Sequence, residues 1–278
     1  MLQTRRTLLL GAAGLAAAGL TVPRRAAAAT MDEIKKRGFI TVATEDDYEP
    51  FEFVKDGKPT GYDQDLLEAM KKKVGFAIHQ EIIPWTGILP GVTTGKYDAA
   101  VTAILVTAER MKTLDFAMPV AESVDYYLKR KGDAKIKGIK DLSGKSLGVE
   151  AGSAMLKLLP QLADMLKATG GSLGKVVQYQ GYPEAYQDLA VGRLDYVVNT
   201  KLSLDSIVAA KPDVFEVGQA VSQPTYIAWA VAKGNTGLLA VFNDFLAAAK
   251  KDGSMYALQK TYFNTTFEDL PDHPVANV

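Results

Sequence analysis

Ala77 to Phe116 reads AIHQEIIPWTGILPGVTTGKYDAAVTAILVTAERMKTLDF. Its first part, Ala77 to Ile83, has the character of a strand and stops at Pro84-Trp85. Ile88 to Thr94 follows as a short helix, and Tyr97 to Leu105 as an apolar strand. Strand, helix and strand in close succession form the unit of a parallel crossover, which sets the class as α/β. Past the second strand comes Thr107-x-x-Arg110, then another short apolar run. A guanidinium there holds out a planar fork of donors, and that fork suits a carboxylate held at two points.

The same alternation extends outward in both directions. Upstream lie a strand over Phe39–Ala43, a turn-rich loop from Glu45 to Phe53, and a helix from Gly61 to Met70. In that helix Asp63 serves as N-cap, and Leu66, Leu67 and Met70 share a face. A second α/β block begins near residue 124. Its strands fall at Ser146–Val149, Lys175–Tyr179 and Asp195–Asn199. Helices start about Ser153, kinked or divided at Pro160, and run from Pro183 to Val191. After Ser222 an apolar strand, Tyr226–Ala232, leads into helices at Leu238–Lys250 and Ser254–Tyr262. The tail from Asp269 reads as a loose end.

The chain opens with Arg5-Arg6 ahead of an apolar run from Leu8 to Val22, and Ala26–Ala29 supply small residues for a peptidase. This reads as an export signal of twin-arginine flavour over residues 1–29, cleaved near Ala29. The run is shorter than the roughly 20 apolar residues of a bilayer span. Setting aside its four arginines leaves 28 basic against 32 acidic residues, a net −4. No basic surplus remains to attract nucleic acid. The absence of cysteine excludes disulfides, iron–sulfur clusters and thiolate zinc sites. His79 and His273 have no second ligand at metal spacing, and they build no catalytic triad. Gly95-Lys96 is followed by Tyr97 where a phosphate loop needs Ser or Thr. The expectation is therefore no metal, no cofactor and no catalytic residue.

Five blocks, in order, carry a resemblance. They are Gly38–Thr44 with Tyr48-Glu49-Pro50-Phe51; Gly61–Leu66; Trp85–Gly91 with Gly95–Asp98; Thr107–Phe116; and Asp141–Val149 with Gly152-Ser153. Gly192-Arg193-Leu194-Asp195, Asp252-Gly253-Ser254 and Tyr262-Phe263 continue it. The chain resembles the bacterial periplasmic solute-binding proteins of the amino-acid type, family 3, over about residues 31–267. The resemblance implies a periplasmic-binding-protein type II fold, with two α/β lobes, two crossover strands and a ligand cleft between them. Lobe 1 would comprise residues 30–122 and 223–278, and lobe 2 residues 123–222. The crossings would fall near Pro119–Val124 and Val221–Tyr226. The implied protein is a monomeric periplasmic receptor that closes by a hinge on a small carboxylate-bearing solute. It would deliver that solute to an inner-membrane ABC permease.

Arg110 matches the family arginine that takes the ligand carboxylate; otherwise it is a surface residue paired with Glu109 or Asp115. Gly152, Ser153 and Ala154 open a helix whose free N–H groups favour the same anion; alternatively Ser153 is an ordinary N-cap. Trp85 and Tyr48 match the family's ring walls. Glu45 matches an acidic position that holds cationic side chains, or else it is a solvated neighbour of Asp46 and Asp47. Thr102 and Ala103 lie on the strand edge that meets the ligand.

Departures from the family pattern bear on the ligand. The family's aspartate for the α-ammonium falls here at Thr200, preceded by Asn199. A usual hydroxyl is Leu105, and a usual threonine is Ala154. Two neutral oxygens cannot replace a buried carboxylate opposite an ammonium. The ligand is then a modified amino acid, a cyclic or methylated zwitterion of the ectoine or betaine sort, or a simple carboxylate, unless Glu45 or another acid supplies the charge from a new direction. Two other readings stay open. One is a dehydratase like the cyclohexadienyl enzymes, with Glu45 or Glu150 as acid. The other is a receptor that presents its closed form to a sensor protein.

Overall fold

The computed structural model describes residues 29–276. The expected export signal lies outside these residues except for Ala29. The chain begins with α1 (Met31–Arg37) and β1 (Phe39–Thr44), then a small antiparallel ribbon of β2 (Asp47–Tyr48), β3 (Glu52–Lys55) and β4 (Lys58–Thr60). α2 (Tyr62–Lys71), β5 (Ala77–Ile82), α3 (Trp85–Thr93) and β6 (Ala99–Leu105) follow. After a 3-10 turn at Arg110–Lys112 come β7 (Leu114–Phe116) and β8 (Ala121–Ser123). The second block holds β9 (Asp125–Arg130), β10 (Leu147–Glu150), α4 (Met155–Ala168), β11 (Val176–Tyr179), α5 (Tyr182–Ala190), β12 (Tyr196–Thr200), α6 (Lys201–Ala210) and β13 (Phe215–Ala220). The chain ends with β14 (Thr225–Ala232), α7 (Thr236–Lys251) and α8 (Ser254–Phe263).

Two mixed sheets make two α/β lobes. Lobe 1 has the order β5-β1-β6-β14-β7, with β8 also on β14; lobe 2 has β11-β10-β12-β9-β13. β5, β1 and β6 are parallel, as are β11, β10 and β12. The parallel crossovers read from the alternation are present, and each sheet also takes antiparallel strands. β14 runs against β6 with Ile227 opposite Leu105, and β9 runs against β12 with Asp125 opposite Thr200. Each of these strands enters its sheet at the end where the parallel strands finish, so it must run the other way. The same geometry brings the C-terminal ends of β6 and β12, and with them the site residues, to the boundary between lobes.

The lobes are joined by two neighbouring segments. β8 pairs with the start of β14, Ser123 opposite Thr225 and Ala121 opposite Ile227. Just beyond, Asp125 N–H donates to Ser222 Oγ at 2.9 Å and Val221 N–H to the Asp125 carbonyl at 2.8 Å. The Asp125 side chain is 1 % exposed and neither carboxylate oxygen has a hydrogen-bond partner. Burial alone pushes its pKa up to about 7. An unfolded aspartate titrates near 4, so the folded form holds a proton that the unfolded form has lost, and stability falls as pH rises from about 4 through 7. Asp125→Asn is expected to raise stability at pH 8 by about 2–4 kcal/mol and to leave it unchanged near pH 4. Melting temperatures across that range check this, and equal gains at both ends would refute it.

Two local expectations are corrected. Asp63 does not cap α2, which starts after Gly61. Its carboxylate turns inward and accepts from Trp229 Nε1 at 2.6 Å, because the second turn residue of this helix faces the core. Pro160 does not divide α4, which runs unbroken. Its buried face, Met155, Leu158, Leu159, Leu162 and Leu166, outweighs the one backbone bond that proline removes.

Candidate functional site

Arg110 sits where β6 turns away from its sheet. Its backbone N–H donates to Thr107 Oγ1 at 3.2 Å, which explains the spacing of Thr-x-x-Arg. Nη1 donates to the Leu105 carbonyl at 2.9 Å, and Nη2 reaches across to the Gly152 carbonyl in lobe 2 at 3.3 Å. The guanidinium lies 5.0 Å from the centre of the Trp85 ring. Its two rival partners are taken, Glu109 by Lys157 at 2.9 Å and Asp115 by Lys233 at 2.7 Å. Burial lowers its pKa to about 10, opposed by the charges of Glu150, Tyr48, Glu109 and Glu45. It remains a cation throughout neutral pH.

Tyr48 bridges the lobes from the other side. Its hydroxyl donates to Asn199 Oδ1 at 2.8 Å and lies 3.2 Å from Thr200 Oγ1. Asn199 Nδ2 donates in turn to the Tyr186 hydroxyl at 2.9 Å, and Thr200 caps α6. Asn199 and Thr200 are thus engaged with tyrosines and a helix end.

Glu45 is buried, 4 % exposed, rather than solvated in its loop. Glu150, at the end of β10 in lobe 2, is 3 % exposed. Carboxylate oxygens of Glu45, Asp47 and Glu150 all lie within 4.8 Å of one another. Burial, then the neighbouring Glu150 and Asp47, pushes Glu45 well above the carboxylate range. Burial, followed by Asp47, lifts Glu150 to about 8, with Arg110 opposing. Burial, Asp46 and Glu184 lift Asp47 to about 6. Asp47 itself reaches lobe 2, where a Cβ at Gly181 would fall 2.4 Å from its Oδ2.

Between the lobes lies a cavity of about 10 Å³, the room of about one water. From lobe 1, Glu45, Tyr48, Trp85, Ala103, Leu105 and Arg110 line it; from lobe 2, Ser153 and Ala154. Sequence reasoning missed Met155 here and named Glu150 only as an acid of the dehydratase alternative. Thr102 is not brought to the cavity. It is 0 % exposed and its hydroxyl bonds Glu52 Oε1 in the lobe 1 core, since β6 is buried on both faces. Gly152 presents its carbonyl to Arg110. Ser153 does not cap α4; its hydroxyl donates back to the Glu150 carbonyl at 2.8 Å.

A guanidinium beyond the end of β6 thus faces buried acids from both lobes across a narrow cavity. Residues 40–265 match the bacterial extracellular solute-binding proteins, family 3, and the chain belongs to that family. The L-cystine-binding protein TcyJ of Escherichia coli (strain K12) is 31 % identical over 262 residues, 93 % of this chain and 95 % of that one. The P235GK mutant of ArgBP from T. maritima superposes with a TM-score of 0.73 at 30 % identity, covering 84 % of this chain and 99 % of that one. The ancestral amino acid-binding protein AncCDT-1, a precursor of cyclohexadienyl dehydratase, gives 0.73 at 31 % identity, with 84 % and 99 % covered. These relatives are named as binding proteins for amino acids, and the ABC transporter arginine-binding protein 1 of Escherichia coli (strain K12), 27 % identical over 221 residues, 78 % of this chain and 87 % of that one, is among the further matches.

Proposed function

We propose that this chain is the periplasmic receptor of an ABC importer for an amino acid or a related small zwitterion with a carboxylate. The observation that carries the reading is Arg110, which ties β6 of lobe 1 to the Gly152 turn of lobe 2 over the Trp85 ring. A solute carboxylate replaces the Gly152 carbonyl as the acceptor for that fork. The Ala154 N–H at the start of α4 supplies a further donor from lobe 2. Contacts with both lobes favour the closed form, which the inner-membrane permease recognises. The reading includes export with cleavage near Ala29, a monomer, and lobes of residues 30–122 with 223–278 and 123–222.

A thermal-shift panel of amino acids, betaines, ectoines, opines and organic acids tests it. At a hundredfold excess over Kd a true ligand adds about 2.7 kcal/mol of stability. At least one carboxylate-bearing member is expected to raise the melting temperature. A response confined to solutes without a carboxylate would overturn the assignment.

A second reading has one observation in its favour. A Glu45–Glu150 pair that burial favours in the protonated form, beside a guanidinium, is also what a general acid needs to protonate the leaving hydroxyl of a carboxylate-bearing ring as water and carbon dioxide depart. Incubation with prephenate or arogenate separates the two. Saturable binding without aromatic product is the expected outcome, and turnover would favour the enzyme.

A further inference from the structure

We propose that Glu52, a buried acid outside the cleft, is the positioning residue of the ligand strand: it pins an irregular stretch of β6 at Thr102 and Ala103, and so sets where the Leu105 carbonyl and the Arg110 fork stand. The inference rests on the receptor reading and adds to it a residue that never touches the solute.

The irregularity lies in the register of β6 against β14. Ala100 stands opposite Ala230, and Ile104 stands opposite Ala228. Val101, Thr102 and Ala103 on one strand therefore face Trp229 alone on the other, so β6 carries two extra residues there. Past this bulge Leu105 opposes Ile227, and Val106 N–H donates to the Tyr226 carbonyl at 2.8 Å. The Leu105 carbonyl then accepts from Arg110 Nη1. Were the bulge drawn straight, Leu105 would slide by two residues, about 7 Å along β14, and would carry the arginine turn with it. On the other side of β6 the pairing with β1 ends at Ala43 opposite Ala100, just before the bulge.

Glu52 holds the slack. Its Oε1 accepts from Ala103 N–H at 3.2 Å and from the Thr102 hydroxyl, so backbone and side chain of adjacent residues end on one atom. The acid is fixed from behind. Asp63 N–H donates to the Phe51 carbonyl at 2.8 Å and Tyr62 N–H to the Pro50 carbonyl at 3.0 Å, which clasps the start of α2 to the ribbon. Gly61 permits this approach, since a Cβ there would fall 2.3 Å from the Phe51 oxygen. Trp229, the residue opposite the bulge, is tied to the same clasp through its bond to Asp63. Both strands at the irregularity are thus bonded to neighbouring acids. Glu52 and Asp63 are fully buried, Glu52 Oε2 and Asp63 Oδ2 have no partner, and no cation is among the groups that act on either. Burial of such groups costs stability. An apolar pair would fill the space without that cost and would offer the bulge no acceptor.

Burial, then Asp63, pushes the Glu52 carboxyl well above the carboxylate range, so it is neutral at neutral pH. Glutamine therefore copies it, with Oε1 kept as acceptor, and alanine does not. Backbone amide and arginine side-chain NMR spectra of the exported chain test the assignment, with the parent set against Glu52→Gln and Glu52→Ala. The exported chain has four arginines, so an Arg110→Lys sample identifies the Arg110 Nε–H signal. In Glu52→Ala the Ala103 amide proton is expected to move upfield and the Arg110 signal to shift, while the amides of β10 in the other lobe stay in place. In Glu52→Gln both signals are expected to remain near their parental positions. These positions report local geometry, so a variant that merely melts lower does not move them. Calorimetry with the standard L-amino acids and glycine betaine adds the functional readout. A member that binds the parent is expected to bind Glu52→Ala about tenfold more weakly and Glu52→Gln within about threefold of the parent. An unmoved Arg110 signal in Glu52→Ala, a glutamine variant displaced as far as the alanine one, or parental affinity in the alanine variant would overturn the proposal. Should Glu52→Ala not fold, Thr102→Val removes the hydroxyl bond alone and is expected to shift the Arg110 signal; an unmoved signal there overturns the proposal too. Binding of no panel member by the parent would count against the receptor reading, while the spectra still decide what Glu52 holds.

Discussion

Arg110→Ala binds the solute found in the panel 30- to 1000-fold more weakly than the parent. A charge-assisted, two-point hydrogen bond to a carboxylate contributes about 2–4 kcal/mol, and each 1.4 kcal/mol is tenfold in Kd. Three features set the effect near the upper end. The guanidinium is poorly hydrated where it sits, since burial lowers its pKa to about 10. Its neighbours Glu109 and Asp115 are paired with lysines and do not compete with the ligand carboxylate for the guanidinium. Its fork is pre-oriented by the Leu105 carbonyl and the Trp85 face, so little freedom is lost on binding. Arg110→Lys keeps the charge and loses the fork, and is expected to recover only part of the affinity. Titration calorimetry on the three proteins decides the matter, and an unchanged Kd for the alanine variant would refute the site assignment.

Trp229→Ala unfolds at a melting temperature roughly 6–20 °C below the parent. Trp229 is 0 % exposed in the middle of β14 and packs with its ring centre 5.7 Å from Phe242 and 6.4 Å from Phe245. Removing a buried tryptophan costs about 3–5 kcal/mol, and in a chain of this size each kcal/mol moves the midpoint by about 2–4 °C. The loss has a polar part too. Asp63 accepts from the indole at 2.6 Å and neighbours Glu52, another fully buried acid, so the variant strips a donor from a carboxylate that has no cation. Trp229→Phe restores most of the volume and none of the hydrogen bond, which separates the two contributions. Urea denaturation followed by circular dichroism measures both. A shift under 3 °C for the alanine variant would refute the buried packing of Trp229 against α7.

The class of fold was legible because its signals are local. Strand, helix and strand from Ala77 to Leu105 each announce themselves within ten residues, and Arg110 stands in a turn whose Thr107 partner is three residues away. The antiparallel course of β14 was not legible, since it depends on which end of the sheet the chain re-enters after a hundred residues. Glu150 entered only as an acid of the dehydratase reading; its place in the cleft opposite Glu45 depends on the other lobe and leaves no mark in its neighbours. Thr102 failed in the opposite sense. It belongs to the right strand, but Glu52, fifty residues away, draws its hydroxyl into the core. Asp63 illustrates the same limit, as a good capping residue recruited by an indole far along the chain. What the sequence hid is the set of polar partnerships made over long separations, and these decide which side chains reach the cleft.

The pairing of β8 with β14 has a practical consequence. The chain leaves one sheet at Ser123 and comes back at Thr225, directly opposite. Everything between is therefore an insertion whose two ends meet at a single rung. Such a module can be exchanged for that of a relative, or given new termini, without stretching any link. A circularly permuted fluorophore spliced at that rung would ride on the swing of the halves and turn capture of the guest into light.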